Sequence, residues 1–279
     1  TCGYEASVAS FSVYNSFDRE DGKFLWEGLK DYFSLGSQIV VRAGYGNSVS
    51  DIFTGFVSKV NFIYGGDEMP HVEILCMDIK GVMMAGSHEN QMTSTNFGDS
   101  VSEIFRKGVY EKMKSSGIFT QLSLTPTPDK NSGEKGGESD KTIEVTGESD
   151  YEFTVRAAKR FNYEFFTDCG KVLFRKARTP EVTLMSLNAS RGVSRLSVEY
   201  DIIGQVENVQ VRGTDYGNTE LITAKRKLNN TISGSSRAKQ IISGSKKIYV
   251  DSSVKSPGDA DYRLENAIER ITYGFGLMH

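Results

Sequence analysis

Three strand-type runs follow one another between residues 37 and 79, and they constrain the chain more than any other feature. SQIVVRA (37–43), IFTGFVSKVNFI (52–63) and VEILCMDI (72–79) are rich in Val, Ile and Phe and bounded by glycine or polar turns, the composition and punctuation of antiparallel strands. The third carries apolar residues on both faces, Val72, Ile74 and Cys76 against Leu75, Met77 and Ile79, so both faces are expected to be covered. Residues 5–14 alternate, with Ala9, Phe11 and Val13 on one side, as a half-buried strand does. The 28 glycines against 5 prolines, with 16 Phe and 13 Tyr, fit a turn-rich β or α+β protein. Residues 1–86 are therefore expected to form a small antiparallel β-barrel. KFLWEGLKDYF (23–33), which holds the only Trp, is expected as a short helix or loop over its end.

A different pattern fills residues 87–190. Val101, Ile104, Phe105, Val109 and Met113 recur at helical spacing over 100–116, with Ser100 and Glu103 spaced as a capping box and Gly117 as a stop. A strand is expected over 118–124. TPTPDKNSGEKGGESDK (125–141) is too polar and glycine-rich to bury surface and is expected as an exposed, mobile loop. In SDYEFTVRAAKRFNYEFFTDCGKVLFRKA (149–177), Ser149 and Glu152 again have capping-box spacing, and Phe153, Ala157, Ala158 and Phe161 give one apolar helical face. YEFFT and KVLFR then pair around Asp168-Cys169-Gly170, with Gly170 supplying positive φ. The result is a compact αββ unit.

Strand alternation resumes after 190. Leu196, Val198, Tyr200 and Ile202 alternate with Ser197, Glu199 and Asp201, and Val209 and Val211 with Asn208, Gln210 and Arg212. Residues 191–279 are expected to form a second barrel, closed by a helix over 259–273 with Ala260, Leu264, Ala267, Ile268 and Ile271 on one face. The fold class is α+β and mainly β: two small barrels separated by an α/β insert. With 279 residues the chain is long enough for such a division.

Strong catalytic motifs are missing. There is no G-x-S-x-G elbow, no P-loop and no H-E-x-x-H helix, and His88-Glu89 lacks a second His one turn on. His71, His88 and His279 are expected as ordinary surface or loop residues, and Cys2, Cys76 and Cys169, odd in number and widely spaced, as buried or incidental thiols. Gly44-Tyr45-Gly46 precedes a strand-forming run, which makes it a turn between strands and not a dinucleotide loop. Asp67-Glu68 lies in a glycine-rich turn, where acids are common without catalysis. No catalytic residue, metal ligand or cofactor is assigned. The longest apolar runs fall well short of the ~18–20 residues of a membrane span, and no Sec-type leader precedes the first strand.

One charge anomaly stands out. Overall the chain is nearly balanced, with 33 Lys and Arg against 36 Asp and Glu, which favours neither nucleic acid nor an anionic membrane. Residues 221–250, however, hold Lys225, Arg226, Lys227, Arg237, Lys239, Lys246 and Lys247 and no acid. Such a run is either a solvated face or a docking surface for an acidic partner or a polyanion. Interleaved aromatics, expected for single-stranded nucleic acid, are missing until Tyr249, so a protein partner fits better.

Three of these stretches resemble the late control D family of contractile phage tails, the baseplate hub family that includes the N-terminal part of VgrG spike proteins and the hubs of contractile injection systems. IFTGFVSKV followed by VEILCMDIKGVMM is similar to the family's barrel strands, GDSVSEIFRKGVYEKM to the helix after the first barrel, and ESDYEFTVRAAKRFNYEFF with GKVLFRK to its helix-and-hairpin segment. The order of the pieces matches over about residues 40–279. Thr154 and Ala157 stand where the family usually has larger aliphatics.

The resemblance implies a structural, non-enzymatic protein. Family hubs are homotrimers whose two barrels per subunit make a pseudo-sixfold ring, joining a hexameric tail tube protein to a trimeric spike protein within the baseplate. It implies a location in a virion tail or tail-like particle, assembled in the bacterial cytoplasm, and a family domain that begins upstream of Thr1 and continues past His279. Two other readings are weighed beside it. A cell-wall hydrolase fused to a hub requires a catalytic domain, and none is visible; a carbohydrate- or surface-binding β module requires an exposed aromatic platform.

Overall fold

The computed structural model describes residues 4–94, 96–127, 143–177, 186, 193, 198–199, 202–215, 219–228, 236–251, 254, 256–273 and 277–278. The greater part of the expected loop 125–141, Leu196 and Tyr200 of the expected strand, Cys2 and His279 lie outside them. Two compact units result: Thr1–Lys159 with Tyr163–Ala177, and Arg160–Asn162 with Arg178–His279.

Unit 1 begins with β1 (Val8–Val13), the short pair β2 (Phe17–Asp18) and β3 (Lys23–Phe24), a 3₁₀ turn (Trp26–Gly28) and the single-turn helix α1 (Lys30–Phe33). Then come β4 (Gln38–Tyr45), β5 (Ser48–Ile63) and β6 (His71–Met77). The four long strands form one antiparallel sheet in the order β1-β6-β5-β4. The ladder is irregular at Val41/Arg42 and again at Val57/Lys59, and such bulges add twist and curl. The sheet curls into a half-barrel around Phe53, Val57, Val72, Ile74 and Cys76, all buried.

The alternation read in the sequence decides which side faces in. Ala9, Phe11 and Val13 pack on that core, as do Trp26, Leu29 and Phe33 from the 23–33 stretch, which is a 3₁₀ turn plus one helical turn. Full burial of a Val or Ile is worth about 1.5–3 kcal/mol, and Val72 and Ile74 on the central β6 are both fully buried. Gly55 is required by the ladder: a Cβ there would lie 2.2 Å from the carbonyl oxygen of Met77.

The rest of unit 1 is α/β. It runs α2 (Lys80–Met83), β7 (His88–Gln91), α3 (Phe97–Ile104), α4 (Gly108–Ser115), β8 (Gln121–Leu124), β9 (Glu144–Glu148), α5 (Asp150–Phe161), β10 (Tyr163–Asp168) and β11 (Lys171–Lys176). The single helix expected over 100–116 is two. Asn96 caps the first, its side chain accepting the Asp99 N–H at 2.8 Å, while Ser100 is buried inside the helix. Glu103, free of any cap role, turns back to the N–H and hydroxyl groups of Thr93 and Ser94. Burial opposes its ionisation, but those hydrogen bonds together hold its carboxyl below the ordinary range. The break at Phe105–Lys107 rotates the second helix, so Tyr110 is buried and Val109 exposed.

The αββ unit forms as its local signals direct. The Ser149 N–H donates to the Glu152 carboxylate at 2.8 Å, and the Glu152 N–H donates to the Ser149 hydroxyl at 3.2 Å, the reciprocal capping box. Phe153, Ala157, Ala158 and Phe161 are buried. So are Thr154 and Ala157, whose small size suits an interior position, and the Thr154 hydroxyl donates to the Asp150 carbonyl at 2.7 Å. β10 and β11 pair antiparallel with Asp168 opposite Lys171, and β8 adds parallel to β11. Both turn residues have positive φ, Cys169 at 43° and Gly170 at 83°, the requirement of a type I′ hairpin.

Unit 2 holds β12 (Val198–Glu199), β13 (Asn208–Asp215), β14 (Glu220–Lys227), α6 (Ser236–Ile241), β15 (Lys246–Val250), α7 (Pro257–Tyr273) and β16 (Leu277–Met278). β13 is central, antiparallel to β14 and parallel to β15; β12 pairs with β16. Val209, Val211 and Ala224 pack with Leu264, Ala267 and Ile271 of α7, so the terminal helix buries the face its spacing indicated. Ser256 caps it, accepting the Asp259 N–H at 3.1 Å. Among the described residues this is a mixed sheet with a helix on one face. The one curled, barrel-like sheet among the described residues is in unit 1.

Candidate interaction surfaces

The seven basic residues of 221–250 are divided by strand alternation. Because Ile222 and Ala224 join the core with Val209 and Val211, the opposite side of the sheet carries Leu221, Thr223, Lys225 and Lys227 from β14, and Lys246, Ile248 and Val250 from β15. The registers set Lys227 and Lys246 either side of Asn208, and Lys225 and Ile248 either side of Gln210. Leu221 is 65% exposed and Val250 81%. The central strand β13 contributes Asn208, Gln210 and Arg212 to the same side, so the middle of this outer face is polar, with the three lysines at one end and Leu221 and Val250 at the other.

The other four basic residues lie elsewhere. Arg226 is on the helix side, 3.3 Å from Glu265 of α7, and Lys247 stands over the Tyr249 ring. Arg237 and Lys239 belong to α6. Lys227 also pairs with Glu207 at 2.7 Å; that bond and the N–H of Gly244 hold the Glu207 carboxyl below its ordinary range.

Unit 1 presents an aromatic row that the sequence reading did not foresee. Tyr64 meets Phe17 (ring centroids 4.7 Å apart), Phe17 meets Phe24 (5.1 Å), Phe24 meets Phe62 (5.1 Å) and Phe62 meets Trp26 (5.2 Å). Tyr64 is 69% exposed and Phe62 46%. Three of the four contacts are edge-to-face, a favourable aromatic geometry, and not the coplanar shelf on which a sugar stacks. The signal was the cross-strand register of β2 and β3, which sets Phe17 opposite Phe24.

Two strand edges converge. Among the described residues β1 and β4 each have a strand partner on one side only, and Ser7, Ala9, Val41, Phe53, Asp78 and Thr167 border one open cleft of about 460 Å³ between them. Beneath its rim lies a buried network. Lys80, 0% exposed, donates to the carbonyls of Tyr4 (3.3 Å) and Glu5 (2.8 Å), and Asp78 accepts the Ser7 N–H at 2.9 Å and the Thr167 hydroxyl. Tyr151 adds a hydrogen bond to the Tyr4 carbonyl at 2.9 Å. Desolvation pushes the Lys80 ammonium below its ordinary pKa, against the pull of Asp78. Every strong group here is engaged with the chain that enters β1, so the network is an anchor.

His71, Cys76, Cys169 and the Gly46 turn take structural roles. His71, expected at the surface, is buried, its Nδ1 2.9 Å from the Met69 carbonyl. Cys76 is in the core and Cys169 half-exposed at the hairpin tip. Gly46 has φ of 56° in the β4–β5 turn where Tyr45 pairs with Ser48, as expected of Gly44-Tyr45-Gly46. Among the described residues no group of three His, Cys, Asp or Glu side chains is placed to hold a metal, and no helix is long and apolar enough to cross a membrane.

The fold of this chain is similar to those of solved phage and prophage tail proteins. The 43 kDa tail protein of prophage MuSo2 from Shewanella oneidensis superposes with a TM-score of 0.59 at 15% identity, over 98% of this chain and 72% of that one. A tail protein from Neisseria meningitidis gives 0.59 at 9% identity over 98% and 71%, and the prophage tail protein gp18 from Listeria monocytogenes 0.53 at 10% over 95% and 68%. At these identities the likeness is one of fold. No protein-family model matches the chain, and no curated protein does.

Proposed function

We propose that this chain is a structural baseplate hub protein of a contractile phage tail or tail-like injection system, a homotrimeric adaptor between a hexameric tube and a trimeric spike. The observation that carries the reading is the half-barrel with its two open edges. Soluble proteins blunt such edges with charge or proline, yet β1 is uncharged and β4 holds only Arg42, which is paired with Asp51 at 2.7 Å. Edges of that kind are stable when a neighbouring chain covers them. The fold shared with tail proteins supports the same conclusion.

In this reading residues 1–86 and 191–279 are the two barrel-type domains of a subunit, and 87–190, with its αββ unit, is the brace between them. The partners are other copies of the chain, the tube, the spike and further baseplate components, and the site of action is the tail. The role is structural. The lysine-bordered face of unit 2 serves as a contact for an acidic protein surface.

Light scattering on the purified chain over a concentration series tests this. A mass three times the 30.9 kDa of one chain is expected. A strict monomer at every concentration would overturn the trimer and give the lead to a surface-binding module.

A further inference from the structure

We infer that the aromatic row of unit 1 docks on the lysine-bordered outer face of unit 2 in a second copy of the chain. The inference rests on the self-assembling reading above and says which two faces meet. The row exposes the rings of Phe62 and Tyr64 beside acidic segments, the sheet face is cationic, and the two carry opposite sign. Around the row, residues 17–28 and 62–69 hold six acids (Asp18, Glu20, Asp21, Glu27, Asp67 and Glu68) against Arg19 and Lys23. Asp21 is paired with Lys23, 2.6 Å away, and Glu27 with Lys30, which leaves Asp18, Glu20, Asp67 and Glu68 against Arg19. Opposite stand Lys225, Lys246 and Arg212, with Lys227 paired to Glu207 at 2.7 Å, Asn208 and Gln210 along the middle, and Leu221 and Val250 toward the far end.

The physics favours a heterologous contact. Neither face suits itself: two acid-bordered rows or two lysine-bordered sheets would set like charges together, at a cost that disfavours an isologous dimer. The pairing of unlike faces sets acids against Lys225, Lys246 and Arg212 and leaves the exposed Phe62 and Tyr64 rings to cover Leu221 and Val250. A head-to-tail contact repeated around an axis closes a ring. Edge-to-face rings with no flat shelf favour a protein surface over a glycan, and the nearby acids favour a cationic one.

Charge reversal with rescue decides the matter. Glu20→Lys, Asp67→Lys and Glu68→Lys together are expected to weaken self-association at least about tenfold, and Lys225→Glu with Lys246→Glu likewise. All five together should restore it, because every contact regains opposite charge. Rising salt should weaken association of the unaltered chain and abolish the rescue.

Several outcomes would overturn the inference. Association insensitive to both sets overturns the pairing of faces while leaving the trimer in place, whereas a chain that never associates overturns both. Lowered thermal stability with unchanged mass would place the contact within one chain. Retention of the unaltered protein on a peptidoglycan or polysaccharide column, lost on Trp26→Ala, would make the row a glycan site instead.

Discussion

The Tyr110 hydroxyl donates to the Asp150 carboxylate at 2.8 Å, across forty residues and with both side chains buried. Lys107 reaches the other carboxylate oxygen at 2.6 Å, and Asp150 opens α5, where a negative charge meets the positive end of the helix. One carboxylate thus joins α4 to the αββ unit. Tyr110→Phe is expected to cost about 1.5–3 kcal/mol, the range for a hydrogen bond to a charged group, and Asp150→Ala about 3–5 kcal/mol, since it also strands Lys107. Urea denaturation of each variant checks both.

The same pair predicts a pH dependence. Burial first, then the Asp150 charge and hydrogen bond, push the Tyr110 phenol far above its ordinary 10.0. The folded state therefore keeps a proton that the unfolded chain releases, so this contribution is complete below pH 10 and declines as pH rises above it. Between pH 9 and 11 the unaltered protein should lose urea resistance faster than Tyr110→Phe. Comparing the two removes the contribution of Lys80, whose lowered pKa acts in the opposite sense.

Gly55 gives a sharper test of the half-barrel. The hypothetical Cβ would sit 2.2 Å from the Met77 oxygen and 2.7 Å from the Phe53 ring. Backbone on one side and a core ring on the other leave nowhere to yield. Gly55→Ala should cost more than about 3 kcal/mol, whereas Gly28→Ala, with open space around it, should change the melting temperature little.

What was legible in the sequence was what neighbouring residues decide among themselves. Ser149 and Glu152 cap a helix as their spacing says because nothing upstream competes. Ser100 and Glu103 have the same spacing and do not, because Asn96 starts the helix a turn earlier and Thr93 and Ser94 claim Glu103. The half-barrel strands followed from alternation. The division of the basic run was legible too, since residues 224–227 alternate between core and outer face, but the run was read as a composition and not as a strand. The aromatic row was hidden, because it needs the β2–β3 register and the curl that brings Phe62 and Tyr64 beside it.

Lys80 should behave as the anchor of the chain entering β1. Lys80→Met keeps the volume but leaves the Glu5 carbonyl without its 2.8 Å donor. Amide exchange at Ser7 and along β1 is expected to speed up at least about tenfold, while α7 in the other unit is unaffected. Equal acceleration in both would show global destabilisation and refute a local anchor.

Open edges and internal packing can be separated at Val40. The Val57 N–H donates to the Ser37 carbonyl at 2.9 Å, and Ile39 and Val41 sit opposite Gly55 and Phe53. Antiparallel bonding alternates, so the Val40 N–H points away from β5, along the uncovered edge. Val40→Pro removes that donor without touching the internal ladder, and proline is tolerated on edge strands. If a neighbouring chain pairs with β4, the variant should keep its circular dichroism spectrum and lose the assembled mass in light scattering. If mass and spectrum both persist, β4 is not a pairing edge, and the assembly must be held through β1 or through the side-chain faces alone.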